Sequence, residues 1–211
     1  MNSEEFSLSK VYKSMKRLIM ITLAILMAMP VFAQGAQYRK KVREYKRDGW
    51  ELYGSTRTLD DALRAHYAAL QTPGVSEVSG TAAGVKSEAV GQQVAWNNAC
   101  INYVQQAGGF LRGRVDSDAH AGSEFDAEFS NFYAAYETLL QKEIRGELKP
   151  SFTLVRHLPD GSCQMMAFFI VDEAAAADAR IKAMELAAQE SEAAQRIAES
   201  VRGYVKEGFN E

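Results

Sequence analysis

Met165-Met-Ala-Phe-Phe-Ile-Val171 runs directly into Asp172-Glu-Ala-Ala-Ala-Ala-Asp-Ala-Arg-Ile-Lys-Ala-Met184, and this junction decides the fold. The first run is apolar at odd and even positions alike, as expected of a strand buried on both faces. Asp172 can cap a helix that starts at Glu173. Ile181, Met184, Ala188, Ser191, Ala194, Ile197, Val201 and Tyr204 then recur at steps of three and four. That spacing predicts one alanine-rich helix lying over the sheet, projecting or breaking near Gly203.

Working upstream, Ser151 to His157 alternates and is followed by Leu158-Pro-Asp-Gly161, which has turn chemistry. A hairpin of residues 151–171 is the expected pairing, with Pro150 marking an edge or kink. Before it, Phe125, Phe129, Phe132, Tyr136, Leu139 and Glu143 form one helical stripe, read as core. Val90, Val94, Asn97, Ile101 and Val104 trace one face of another helix, and Trp96, Cys100, Tyr103, Ala107 and Phe110 a second face. Gly108-Gly109 is expected to end or break it, with Leu111 to Val115 able to resume it because Phe110 and Arg114 keep the four-residue step. Val75 to Val85 reads as a strand in which Gly80 and Gly84 permit a bend or a close backbone approach. Ser55 or Thr58, the latter with Asp61, can cap a helix through Leu59, Leu63, His66 (or Tyr67) and Leu70, ended by Pro73-Gly74. Trp50, Leu52 and Gly54 alternate in a short strand. The sum is an α+β domain over residues 49–211, a small antiparallel or mixed sheet packed by long helices. Strand order stays open.

The N-terminal 33 residues stand apart. Met15-Lys-Arg17, the uncharged run Leu18–Met29 and the small residues Val31 and Ala33 come in the order of an export signal. The run is too short to span a bilayer comfortably, so removal before Gln34 is expected. Met15 opens a signal of more usual form than Met1. Periplasmic or secreted is the expected address, with envelope association as a further option. Residues 34–48 form a basic arm containing Arg39, Lys40, Lys41, Arg43, Lys46 and Arg47, suited to a solvated segment or to anionic lipid or an acidic partner.

The 211 residues carry 24 basic and 27 acidic side chains. Residues 1–33 hold four basic and two acidic ones, so residues 34–211 keep 20 and 25, a net charge of -5. That balance argues against nucleic acid as a partner. Export would permit a disulfide between Cys100 and Cys163; two buried thiols is the plainer reading.

No residue set is assigned to catalysis, cofactor binding or metal binding. Asp116, Asp118, His120 and Glu124 share an acidic loop without the glycine and terminal glutamate of a helix-loop-helix calcium site. Cys163 and His157 are neighbours across the hairpin but lack an orienting third group. Gly80-Thr-Ala-Ala-Gly84-Val-Lys-Ser87 is one residue short of a phosphate loop, and Val85 separates Gly84 from Lys86. A ligand cleft near Trp50, Tyr53 and Arg112 is the candidate small-molecule site. Ile197, Val201 and Tyr204 are the candidate contact residues for an envelope protein or for self-association through the C-terminal helix.

Tyr45-Lys-Arg-Asp-Gly-Trp50-Glu-Leu-Tyr-Gly54-Ser-Thr-Arg-Thr-Leu59, Phe132-Tyr-Ala-Ala-Tyr-Glu137 and Lys142-Glu-Ile-Arg-Gly-Glu147 resemble uncharacterised exported proteins of Bacteroides-type bacteria. The order of elements is similar to the Helicobacter membrane-associated lipoprotein family. The resemblance implies an envelope address and supplies no catalytic residues. Gln34 stands where a lipoprotein-like anchor would need cysteine. The expected function is a non-enzymatic cell-envelope protein, structural or scaffold-like, acting by protein contact. The alternative is a periplasmic binding module for a small molecule or cell-wall fragment.

Overall fold

The structure is a computed structural model describing residues 38–118, 123–190 and 192–208, and the side chains among them except those of residues 114–126. The export-signal reading therefore lies outside the described residues, as do the side chains of Asp116, Asp118, His120, Glu124 and Phe125. Compactness divides the chain between Glu44 and Tyr45, and the second unit, from Tyr45 onward, holds the sheet. A helical stretch, α1, covers residues 38–47.

The sheet has four antiparallel strands in the order β1-β3-β4-β2, where β1 is Glu51–Leu52, β2 Val75–Val85, β3 Leu148–His157 and β4 Cys163–Asp172. The fold is α+β, and its sheet is antiparallel throughout. The doubly apolar β4 is central, between β3 and β2. Its hairpin with β3 closes through Gly161, whose φ of +76° suits glycine. Leu158 and Ser162 pair there, and Asp160 Oδ1 accepts from the Ser162 amide at 3.0 Å and its hydroxyl at 2.6 Å. These two bonds hold the exposed Asp160 carboxyl below its usual range. Register shifts between Pro150 and Phe152. β1 reaches only Val155 and Leu154, so Pro150 sits where β3 has a single strand neighbour and its missing N–H breaks no second ladder.

Phe168 and Phe169 are consecutive in β4 and so face opposite sides of the sheet. Phe169 joins Val78, Met165, Val171, Leu140 and Met184 in the main core under the long helices. Phe168 stacks on Phe152 at 4.4 Å between ring centroids, and both meet the His66 ring of α2 (Leu59–Ala69). Each such buried aromatic contributes about 2–3 kcal/mol. Thr58 caps α2, its Oγ1 accepting from the Asp61 amide at 3.1 Å.

The main face carries α3 (Glu88–Asp118), α4 (Ser123–Glu143), α5 (Glu173–Ala188) and α6 (Glu192–Glu207). α3 lies against β2 at Gly80, where an added Cβ would stand 2.1 Å from the Ala95 carbonyl oxygen and 2.2 Å from the Ala99 nitrogen. Asn98 and Asn102 donate from their amides to the Thr81 and Ser79 carbonyls at 2.7 and 2.8 Å, covering the edge strand.

Two expectations are corrected. α3 runs through Gly108-Gly109 without a break, because Gly108 is a packing position: a Cβ there would lie 2.4 Å from the Tyr133 hydroxyl of α4. The terminal stretch is two packed helices. Asp172 caps α5, accepting from the Ala174 and Ala175 amides at 3.1 and 3.4 Å. The helix stops at Gln189, and Gly203 lies inside α6.

Candidate functional site

The most concentrated buried polar chemistry among the described residues joins β2, α3, α5 and α6. Glu173 comes directly after the Asp172 cap, and Arg180 is two turns further on the same helical face. Their side chains are each 2% exposed and meet at 2.7 Å, Arg180 Nη1 donating to Glu173 Oε2. The Tyr103 hydroxyl donates to the same oxygen at 3.1 Å and accepts from Arg180 Nη1; Ser76 Oγ donates to Glu173 Oε1. Arg180 Nε donates to the Val205 carbonyl at 3.0 Å, and Nη2 to the Glu173 carbonyl at 3.3 Å. The guanidinium thus lies at the C-terminal end of α6, where helix carbonyls are left over and a cation is favoured. Gly208, at φ +61°, leaves it room: a Cβ there would stand 2.3 Å from Arg180 Nη2. Burial raises the Tyr103 phenol above its usual range, and Arg180 opposes that rise.

This cluster holds tyrosine, arginine and carboxylate together, a set that could grip a ligand. Here the three are closed upon one another, and their hydrogen bonds fasten four elements.

A second constellation lies on the other face. His66, 2% exposed, engages Glu77 Oε2 through Nε2 and Ser151 Oγ through Nδ1, the latter at 2.9 Å. Hydroxyl, imidazole and carboxylate in contact satisfy the reach of a nucleophile, base and orienting group. A base must also meet its substrate. The ring is instead walled by Tyr67, Phe152 and Phe168, at 5.7, 5.2 and 6.0 Å. In this closed form, the arrangement braces α2 against β2 and β3.

The three candidate ligand residues each have contacts of their own. Trp50 lies under the Arg156 guanidinium at 4.9 Å. The Tyr53 amide donates to the Thr153 carbonyl at 2.8 Å, and its ring packs on the main core. Arg112 is on α3, 4.1 Å from the centre of the Tyr133 ring of α4. Burial first, then the bond to Glu137, pushes the Tyr133 phenol up to about 12. None of the described contacts joins Arg112 to Trp50 or Tyr53. Of the candidate partner residues, Ile197 and Val201 are 2% and 1% exposed, and Tyr204 is half-buried against the same core. Their apolar stripe is occupied within the chain.

Cys100 and Cys163 are free and buried, and burial pushes the Cys100 thiol up. His157, opposite Cys163 in the ladder, contacts Glu88 through Nε2 at 2.9 Å. Among the described residues no group of three or more His, Cys, Asp or Glu side chains could hold a metal ion, and no helix is long and apolar enough to cross a membrane.

Concave surfaces among the described residues include a groove of about 310 Å³ between α5 and α6 and a wider one of about 680 Å³ beside Asn131, Ala135 and Leu139 of α4. Met184, Ala188 and Ala198 line the α5–α6 groove, with Glu185, Gln195 and Arg202 alongside; Arg202 reaches Glu185 at 3.0 Å. Neither this groove nor the buried arginine was evident from the sequence. The seven-residue interval between Glu173 and Arg180 was the available signal for the latter. No protein-family model, curated protein or solved structure matches the chain.

Proposed function

We propose that this chain is a non-enzymatic protein of the cell envelope, structural or scaffold-like, that acts through protein contact. The observation that carries the reading is the Tyr103–Glu173–Arg180 cluster. Its charges are neutralised within the chain and its bonds fasten β2, α3, α5 and α6 together. Such use of buried polar groups supports a rigid body that presents a surface. The envelope address draws on the export-signal pattern of residues 15–33, and on the resemblance to exported proteins. With the Ile197 stripe internal, the groove between α5 and α6 becomes the contact surface. The same groove's concavity favours a second reading, a periplasmic binding module for a small molecule or cell-wall fragment.

Photo-crosslinkers placed at exposed Gln195 and, on α4, Ala134 test this in intact cells. A discrete protein adduct at Gln195, lost in Arg202→Glu, is the expected result. Absence of protein adducts at both positions, with a small ligand retained in native mass spectrometry, would replace the contact reading with the binding-module reading.

A further inference from the structure

We infer that the cationic face of α1 is a docking surface for an anionic phospholipid bilayer. Residues 38–47 hold six basic side chains against one acidic residue, Glu44. At about 100° per residue, Arg39, Lys40, Arg43, Lys46 and Arg47 fall within an arc of about 120°. Tyr38, Val42 and Tyr45 fall within a separate arc of about 60°, centred about 130° away. Burial keeps the same division. The five cations are exposed, whereas Val42 is buried and Tyr38 and Tyr45 are half-buried. Tyr45 meets Phe168 edge-on at 6.4 Å.

Some of this charge is answered locally, and much is not. Lys41, away from the cationic arc, pairs with Glu44 at 3.2 Å, and Arg47 with Asp48 at 2.9 Å. No ion pair among the described residues takes up Lys40, Arg43 or Lys46. The rest of the chain has the opposite sign: residues 48–211 contain 14 basic and 24 acidic residues, a net charge of -10. A bilayer bearing negative headgroups would attract α1 and repel the remainder, so charge alone sets which segment approaches. Long, flexible lysine and arginine side chains on a convex helix suit a laterally fluid array of phosphates. Each cation near such a surface strengthens binding about fivefold.

The inference takes its setting from the envelope address proposed above and is independent of the α5–α6 groove. Failure here leaves the crosslinking result intact. The test is co-sedimentation of the full chain, as purified from cells, with two kinds of vesicle: phosphatidylcholine alone, and phosphatidylcholine with one-third phosphatidylglycerol. The readout is the ratio between them, which removes any contribution from apolar insertion. We expect at least about a tenfold preference for the anionic vesicles, falling as salt rises. Arg43→Glu with Lys46→Glu should reduce the partition by at least about 25-fold and leave the thermal transition in place. Lys182→Glu with Arg202→Glu makes the same change of net charge elsewhere and should retain the preference. Equal sedimentation with both vesicles, no sedimentation with either, or equal loss in the two double variants would overturn the inference. So would salt-sensitive capture of an acidic protein by α1 without any vesicle preference.

Discussion

Glu173 and Arg180 meet at 2.7 Å with both side chains 2% exposed, seven residues apart on one face of α5. A buried charge left without its partner is costly, whereas removing both charges is often tolerated. Arg180→Met should therefore lower stability by about 3–5 kcal/mol in urea unfolding. Combining it with Glu173→Gln should restore part of that loss. A double variant less stable than the single one by the full cost of the second change would show that the two groups act separately.

Gly80 and Gly109 should respond to alanine in opposite directions. At Gly80 the new methyl meets backbone atoms of Ala95 and Ala99, and at Gly109 it meets nothing within 4 Å. Gly80→Ala should cost about 3 kcal/mol or more, since the helix must lift from the strand. Gly109→Ala, on an exposed helical position, should stabilise by about 0.5–1 kcal/mol. Denaturation midpoints of the two variants check both signs.

Ile197→Ala should cost about 2–5 kcal/mol, because the side chain is packed in the core. Gln195→Ala, two residues away and exposed, should change stability by no more than about 0.5 kcal/mol. Equal, negligible effects would return Ile197 to the surface. For this reason a charge at Ile197 reports on folding and not on partner binding.

Alkaline pH should destabilise the fold. Burial raises the phenols of Tyr103 and Tyr136 above their usual range, and that of Tyr133 to about 12. Unfolded tyrosine ionises near about 10. Above that pH the unfolded chain binds fewer protons than the folded one, so stability falls as pH rises. The stability is fully present below about pH 10. Tyr133's share of the loss levels off beyond about 12. Urea midpoints measured across this range should decline, and less steeply in Tyr133→Phe. Phenolate absorbance should appear with unfolding for the most buried rings.

Local chemistry made much of this fold legible. Thr58 and Asp172 cap helices as their side-chain oxygens suggest, and the doubly apolar β4 is central. Tertiary packing decided the rest. Gly108 looks like a helix breaker in sequence, yet it makes room for Tyr133. The turn at Gln189-Glu190 has no proline or glycine; only the polar run Gln189-Glu-Ser-Glu192 hints at it, while the three-and-four spacing continues across. The candidate sites were harder still. His66 finds its partners 11 and 85 residues away, at Glu77 and Ser151, and no spacing rule connects them. Residue type carries no information about which elements adjoin, so it could not foretell that Trp50 meets Arg156 and Arg112 meets Tyr133.

The two asparagine amides from α3 that reach the backbone of β2 have a bearing on assembly. Asn98 and Asn102 can shield that strand only once the helix has settled beside Gly80. A nascent chain whose hairpin forms early would display a tacky border ready to recruit its like. Prompt docking of one helix would then separate productive maturation from clumping.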